Sequence, residues 1–306
     1  MIWLVNQIMQ LLRRRRAGAT GGEPSTQSAP APRSRGAAAA GPSAAARGPL
    51  ALLAHQVRFD LLISLRNPRA RFMTFLYPVI MLVVFNGLFG HGTTVVDGVH
   101  IPLSRFYVTG ILALSISVAA YGNIVIGIAT LRETGALKRR RATPVPAGVL
   151  VGGQAMATLV VAAIMAVILF VLARVLYGVG LAPGALAAVA VTALVGSLAL
   201  ACLGYAVSGI VSSPEAGLPI VWVTTLPLYF ISGVFIPTTN LSSTLRSISE
   251  VFPIEHLANS LHLASVHSSF TAALSSTDLL VIAAWGVVAA GLAAWRFSWL
   301  PSAAAA

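Results

Sequence analysis

From Phe72 onward the chain alternates between long apolar runs and short polar breaks. Six runs stand out, at 72–89, 106–131, 150–177, 185–211, 216–236 and 279–295. Each approaches or exceeds the roughly 17–25 residues that a helix needs to cross a bilayer. The pattern predicts six membrane-spanning helices. Polar side chains within them are few, the clearest being Asn86 near the end of the first run and Asn123 in the second. Asn123 follows Tyr121 and Gly122, so close packing and an interhelical hydrogen bond are available together. A place on a substrate path is the other reading of Asn123.

Outside the runs the pattern changes character. Residues 1–16 place Leu4, Val5, Ile8, Leu11 and Leu12 at helical spacing, opposite Asn6, Gln7 and Gln10, and then give Arg13, Arg14, Arg15 and Arg16. A secretory signal carries its positive charge before the apolar stretch, and this stretch is too short to span. It reads as an amphipathic basic leader lying at the membrane interface. Residues 17–49, rich in Ala, Gly, Pro and Ser, read as a disordered linker. Leu50, Leu53, Val57, Leu61 and Leu65 then form a stripe on an amphipathic helix that Asn67-Pro68 terminates. The region 50–300 is taken as one membrane domain.

The break between the fifth and sixth runs carries two short apolar stripes. Leu241, Leu245, Ile248 and Phe252 make the first; Ile254, Leu257 and Leu261 make the second, after Pro253. Both are too short to span, and proline separates them. They predict a re-entrant helical hairpin before the last span, or a pair lying flat on the surface. The expected fold is an all-α integral membrane protein: six transmembrane helices, an N-terminal amphipathic interfacial helix and the re-entrant hairpin.

Composition supports this. Charged residues make up 9% of the 306 and the apolar set 57%, whereas soluble domains carry about 25% charged residues. The net charge of +12 could mean nucleic acid, but the charges sit in blocks between apolar runs and no nucleic-acid module accompanies them. Eleven Lys and Arg precede the first run and five lie within 132–149, against Arg105 and Arg246 alone in the first and fifth breaks. The positive-inside rule places both termini in the cytoplasm. The single cysteine, Cys202, excludes a disulfide framework.

The chemistry is notable for what is missing. The chain has one lysine, Lys138, and it follows Leu137, so there is no Gly-Lys pair for a P-loop. Nucleotide hydrolysis is expected on another subunit. The run centres carry no ionisable group, which argues against ion coupling, and Arg174, Glu215 and Asp278 stand at run ends. Glu255-His256 is not a zinc-protease motif. His256 and His262 are six apart and do not share a helix face, so no metal is expected, and the six histidines read as loop and interface residues. No catalytic residues are expected.

The break after the second run reads LRETGALKRRRATPVPAGVLVGG. It offers a short, strongly charged helix stopped by Pro144 and Pro146, suited to docking on a soluble partner. Here the chain resembles permease subunits of the ABC type-2 (ABC-2) exporter family, particularly the daunorubicin-type drug exporters. The resemblance rests on Arg132, Glu133, Gly135, Leu137, Arg141, Thr143 and Pro144. It rests also on PLYFISGVFIP, from Pro227 through Ser232, Gly233 and Phe235 to Pro237, and on VFPIEHLANSLH around Phe252, Pro253 and Glu255. Ala136-Leu137-Lys138 stands where the family often has Thr-Leu-Glu.

The resemblance implies a dimer, homo or hetero, in the bacterial inner membrane. It also implies a separate cytoplasmic ATPase subunit that carries ATP and Mg, with no cofactor on this chain. It makes Arg132, Glu133, Gly135, Leu137, Lys138, Arg141, Thr143 and Pro144 the ATPase-coupling helix. Asn123, Ser232, Gly233, Phe235 and Pro237 become the translocation path or gate, and Phe252, Pro253 and Glu255 the re-entrant hairpin. Export of a hydrophobic or amphipathic drug or lipid-like passenger would follow, and with it antibiotic resistance. A permease for polysaccharide or lipid-linked glycan and a membrane scaffold without a passenger remain the alternatives.

Overall fold

The computed structural model describes residues 68–135 and 147–296, together with residues 57, 58, 62 and 66. The leader 1–16, the linker 17–49, most of the stripe 50–66 and the basic cluster 138–141 lie outside the described residues.

A helical turn at Pro68–Arg71 leads into α1, Phe72–Phe89. Two short strands follow, β1 (Thr93–Val96) and β2 (Val99–Pro102), paired antiparallel with Thr93 opposite Pro102. Helix α2 spans Leu103–Glu133, α3 Ala147–Tyr177, α4 Pro183–Ser208 and α5 Pro214–Ile231. Then come α6 (Ser243–Ser249), α7 (Pro253–Val266), the turn α8 (Phe270–Ala273) and α9 (Ser276–Arg296). Among the described residues five helices are long and apolar enough to cross a membrane: α1, α2, α3, α4 and α9. The chain is an all-α integral membrane protein, and among the described residues the two strands of the small hairpin are its only β-structure. Helix α5 is 18 residues long but falls outside those five, its apolar character diluted by Glu215 as well as by Pro214, Pro219 and Pro227.

Local chemistry accounts for the helix ends. Prolines begin α4, α5 and α7, where the missing N–H costs nothing. The Ser213 and Ser242 hydroxyls accept from the Ala216 and Leu245 amides at 3.3 and 3.4 Å, capping α5 and α6. Gly135, at φ +67°, closes α2 in the left-handed conformation usual just past a helix end.

Helix α2 is the axis of the bundle. Some 78% of its apolar window is buried, against 22% for α1 and 17% for α9. It packs on α1, α3, α4 and α7. On α1 the buried residues Thr74, Pro78, Leu82 and Asn86 recur every fourth position and face inward. Leu76, Val83, Leu88 and Phe89 on its other faces are exposed, as expected of a helix meeting lipid or a second protomer. Helices α4 and α9 approach closely because Gly286 meets Ala199: a β-carbon at Gly286 would lie 3.1 Å from Ala199. Two π-helical turns, Phe72–Leu76 in α1 and Val118–Gly122 in α2, lie in contact.

Several boundaries differ from the periodic reading. The fifth run was expected to extend to residue 236, but α5 stops at Ile231. Gly233 takes φ +73°, and the Phe235 amide folds back onto the Tyr229 carbonyl at 3.2 Å. An apolar run does not reveal that its last residues form a loop. The β-hairpin was not expected at all. Its turn is Asp97-Gly98 with both residues at positive φ (50° and 74°), the geometry that Asp-Gly favours. Of the two helices predicted before the last span, α6 is largely exposed, whereas α7 is embedded among α2, α4 and α9.

Candidate functional site

The loop 232–237 after α5 sits at the hairpin end of the bundle, wedged between α2 and α7. Gly110 of α2 touches the backbone of Val234 so closely that any β-carbon there would collide with the Val234 carbonyl oxygen. His262 of α7 clamps the loop. Its Nε2 lies 2.8 Å from the Gly233 carbonyl oxygen, and its Nδ1 lies 2.7 Å from Thr109 Oγ1. A carbonyl can only accept, so Nε2 carries the proton, and the Thr109 hydroxyl donates to Nδ1. The ring also stacks on Phe106 with centroids 4.3 Å apart. Burial holds its pKa well below the usual histidine range, at about 4, so the clamp is neutral. Beside it Phe235 stacks on Phe85 at 4.6 Å and meets Tyr229 and Phe230 edge-on, closing the end of the bundle with aromatic rings.

Deeper along α2, polar contacts tie it to its neighbours. Tyr121 and Thr224 share a hydrogen bond of 3.0 Å between α2 and α5. Asn123 Nδ2, just past the π turn of α2, donates to Thr74 Oγ1 in the π turn of α1 at 2.8 Å. At the opposite end Arg132 folds inward. It is buried, and its Nη1 donates to the carbonyls of Ser208 and Val211, each at 3.0 Å, where α4 ends. A cation at the C-terminus of α4 complements the helix dipole.

A second polar cluster joins α7 to α9. His256 Nδ1 lies 2.7 Å from Asp278 Oδ1 and 3.4 Å from Glu255 Oε2, while Nε2 lies 2.8 Å from the Glu250 carbonyl oxygen. Asp278 Oδ2 accepts from Asn259 at 2.9 Å and from Ser260 at 3.4 Å. The hydrogen bond to Asp278 raises the His256 pKa, and burial pushes Glu255 up to about 7. Glu255 also lines a cavity of about 280 Å³ with Ser232, Gly233, Pro237, Asn259 and His262. A larger apolar groove of about 1070 Å³ is lined only by α3, α4 and the loop between them, on a different face from α2 and α5.

The predicted gate residues Ser232, Gly233 and Pro237 thus share one cavity with Glu255 of the predicted re-entrant hairpin, and Phe235 packs beside them. Asn123 stands apart, paired to Thr74. Phe252 and Pro253 begin α7, where Phe252 stacks against Trp285 of α9. In the predicted coupling segment, Glu133 is exposed at the end of α2 and Gly135 closes that helix. Arg132 points into the bundle rather than outward as expected, because the end of α4 and the loop after it each offer it a carbonyl. Leu137, Lys138, Arg141, Thr143 and Pro144 lie outside the described residues. His256 and His262, read as loop or interface residues, are both buried. The Thr109–His262 and His256–Asp278 pairings were missed, since their separations of 153 and 22 residues leave no local pattern.

Among the described residues, five helices long and apolar enough to cross a bilayer, packed around α2, define a multi-pass membrane protein. The profile of the ABC-2 type transporter family matches residues 55–264, from before α1 into α7. The chain belongs to that family and is accordingly the permease component of an ABC transporter. No curated protein matches it.

Proposed function

We propose that this permease works as a dimer of six-span protomers, driven by a separate cytoplasmic ATPase, and exports a hydrophobic or amphipathic molecule. Counting α5 as the sixth span and applying the positive-inside rule puts Glu133 and Gly135 in the cytoplasm and the loop 232–237 outside.

One observation carries the reading. Helix α2 is a single rod of 31 residues, about 46 Å long at 1.5 Å per residue. One end bears Glu133 and Gly135; near the other, Thr109 and Gly110 hold His262 and Val234. A displacement at the ATPase-facing end is therefore delivered directly to the outer loop, without an intervening joint other than the π turn at Val118–Gly122. Such turns recur at functional positions within helices. The described middles of α2 and α5 carry no charge, which suits an apolar passenger.

The test is export in vesicles containing the permease and its ATPase, with Glu133→Ala and Gly135→Val variants. ATP-driven export should fall at least tenfold while membrane insertion stays unchanged. Undiminished export by both variants refutes the assignment of this segment as the coupling element.

A further inference from the structure

We propose that Glu255, His256 and Asp278 form a binding site for one divalent transition-metal ion of the zinc class, joining α7 to α9. The proposal does not depend on the passenger or on the driving ATPase.

The donor geometry is the first argument. One ligand atom from each residue, a carboxylate oxygen from Glu255 and Asp278 and an imidazole nitrogen from His256, lies within 4.8 Å of the other two. Tetrahedral zinc with bonds near 2.0–2.2 Å needs ligand atoms roughly 3.3 Å apart. The Glu255–His256 separation of 3.4 Å already fits, and the His256–Asp278 contact of 2.7 Å must open by about 0.6 Å. Three protein ligands leave a fourth position for water.

The orientation of each ligand is the second. His256 Nε2 faces the Glu250 carbonyl oxygen, so that nitrogen holds a proton and Nδ1 is the atom directed at the two carboxylates. A metal-bound imidazole is held in this way, its other N–H fixed by a carbonyl. Asp278 Oδ2 is occupied by Asn259 and Ser260, which leaves Oδ1 facing the imidazole. Both ligands are thus locked by a surrounding layer of hydrogen bonds.

Charge is the third. Two carboxylates and one imidazole are gathered where each residue is about 9% exposed or less. A dication placed between them balances both carboxylates at once. Among the described residues the nearby cation is Arg246, exposed and paired with Glu250 at 3.2 Å. Access is available through the cavity of about 280 Å³ that Glu255 lines. Ser232 borders that same space with a buried hydroxyl that has no hydrogen-bond partner, so the cavity holds an unmet polar demand as well. The set of one nitrogen and two oxygens, without thiolate, selects zinc over copper(I), and the imidazole disfavours calcium and magnesium.

The test uses the detergent-solubilised full-length permease without a polyhistidine tag, titrated with zinc chloride at pH 7.5 by calorimetry. Metal retained after desalting is counted by elemental analysis. Wild type should bind one zinc per chain and gain thermal stability with it. Glu255→Gln leaves the His256–Asp278 hydrogen bond in place, and so keeps the fold. It should weaken zinc binding at least tenfold and abolish the thermal gain, with an unchanged melting temperature in chelator. His256→Asn should bind none at this site. The proposal is overturned if wild type binds no zinc, or if both variants retain wild-type stoichiometry and affinity; the latter would place the ion on other histidines such as His267, which pairs with Asp97 at 3.0 Å.

Discussion

Replacing His262 with alanine removes the clamp between α7, α2 and the loop 232–237, and the structure sets the size of the loss. Two buried hydrogen bonds go, to the Gly233 carbonyl and the Thr109 hydroxyl, each worth about 1 kcal/mol. The stack on Phe106 adds about 0.5–1.5 kcal/mol. The void left in a buried site adds roughly 1 kcal/mol more. A total of about 3.5–4.5 kcal/mol corresponds to a melting temperature lower by roughly 7–18 °C in a chain of this size. His262→Phe keeps volume and stacking but loses both hydrogen bonds, so about half that fall is expected. The assay is thermal unfolding of the purified protein in detergent, followed by tryptophan fluorescence and by loss of the monodisperse peak on size exclusion. A His262→Ala protein melting within 2 °C of wild type would refute the clamp.

The same residue predicts a pH dependence. Its pKa falls from 6.5 to about 4 on folding, so its stabilisation is full above pH 6.5 and is lost as pH drops toward 4. The loss amounts to at most about 3 kcal/mol, and the acid-side decline in melting temperature should be shallower in His262→Phe than in wild type. Gly110→Ala forces a methyl group onto the Val234 carbonyl and should cost about 1–3 kcal/mol; a melting temperature equal to wild type would contradict the close approach. Arg132→Lys cannot supply the same planar donor to Ser208 and Val211. It should therefore lower stability by about 1–2 kcal/mol, with Arg132→Ala lower still, as read by the same melting assay.

The long helices were legible because a bilayer imposes one requirement, a sufficient apolar length, that composition alone records. The α6–α7 pair was legible for the opposite reason: Pro253 and two short stripes left nothing long enough to span. What stayed hidden depends on contacts between distant elements. Arg132 reads as a surface charge until the end of α4 and the loop after it are seen beside it with two carbonyls to satisfy. Asp278 reads as a residue at a span end until α7 brings His256 to 2.7 Å. The end of α5 was overrun because Ser232 to Ile236 keep an apolar character while Gly233 turns the backbone at φ +73°. The β-hairpin was open to prediction: Asp97-Gly98 between TTVV and VHIP carries a turn signal, although the long apolar runs on either side dominate the pattern. Within the candidate site, the sequence singled out Ser232, Gly233, Phe235 and Pro237 and the helix start at Pro253, but the loop at 232–237 and the clamp that joins it to α7 became visible only when α2, α5 and α7 were packed.

The central claim, that this permease is moved by a separate ATPase seated on the segment after α2, is tested most directly by affinity purification from its native membrane in mild detergent. The account predicts that a P-loop ATPase co-purifies with the wild-type chain and is lost when residues 133–144 are altered, while the permease itself is recovered in equal amount. Recovery of the permease with no ATPase, or an ATPase retained in full by the altered chain, would contradict it.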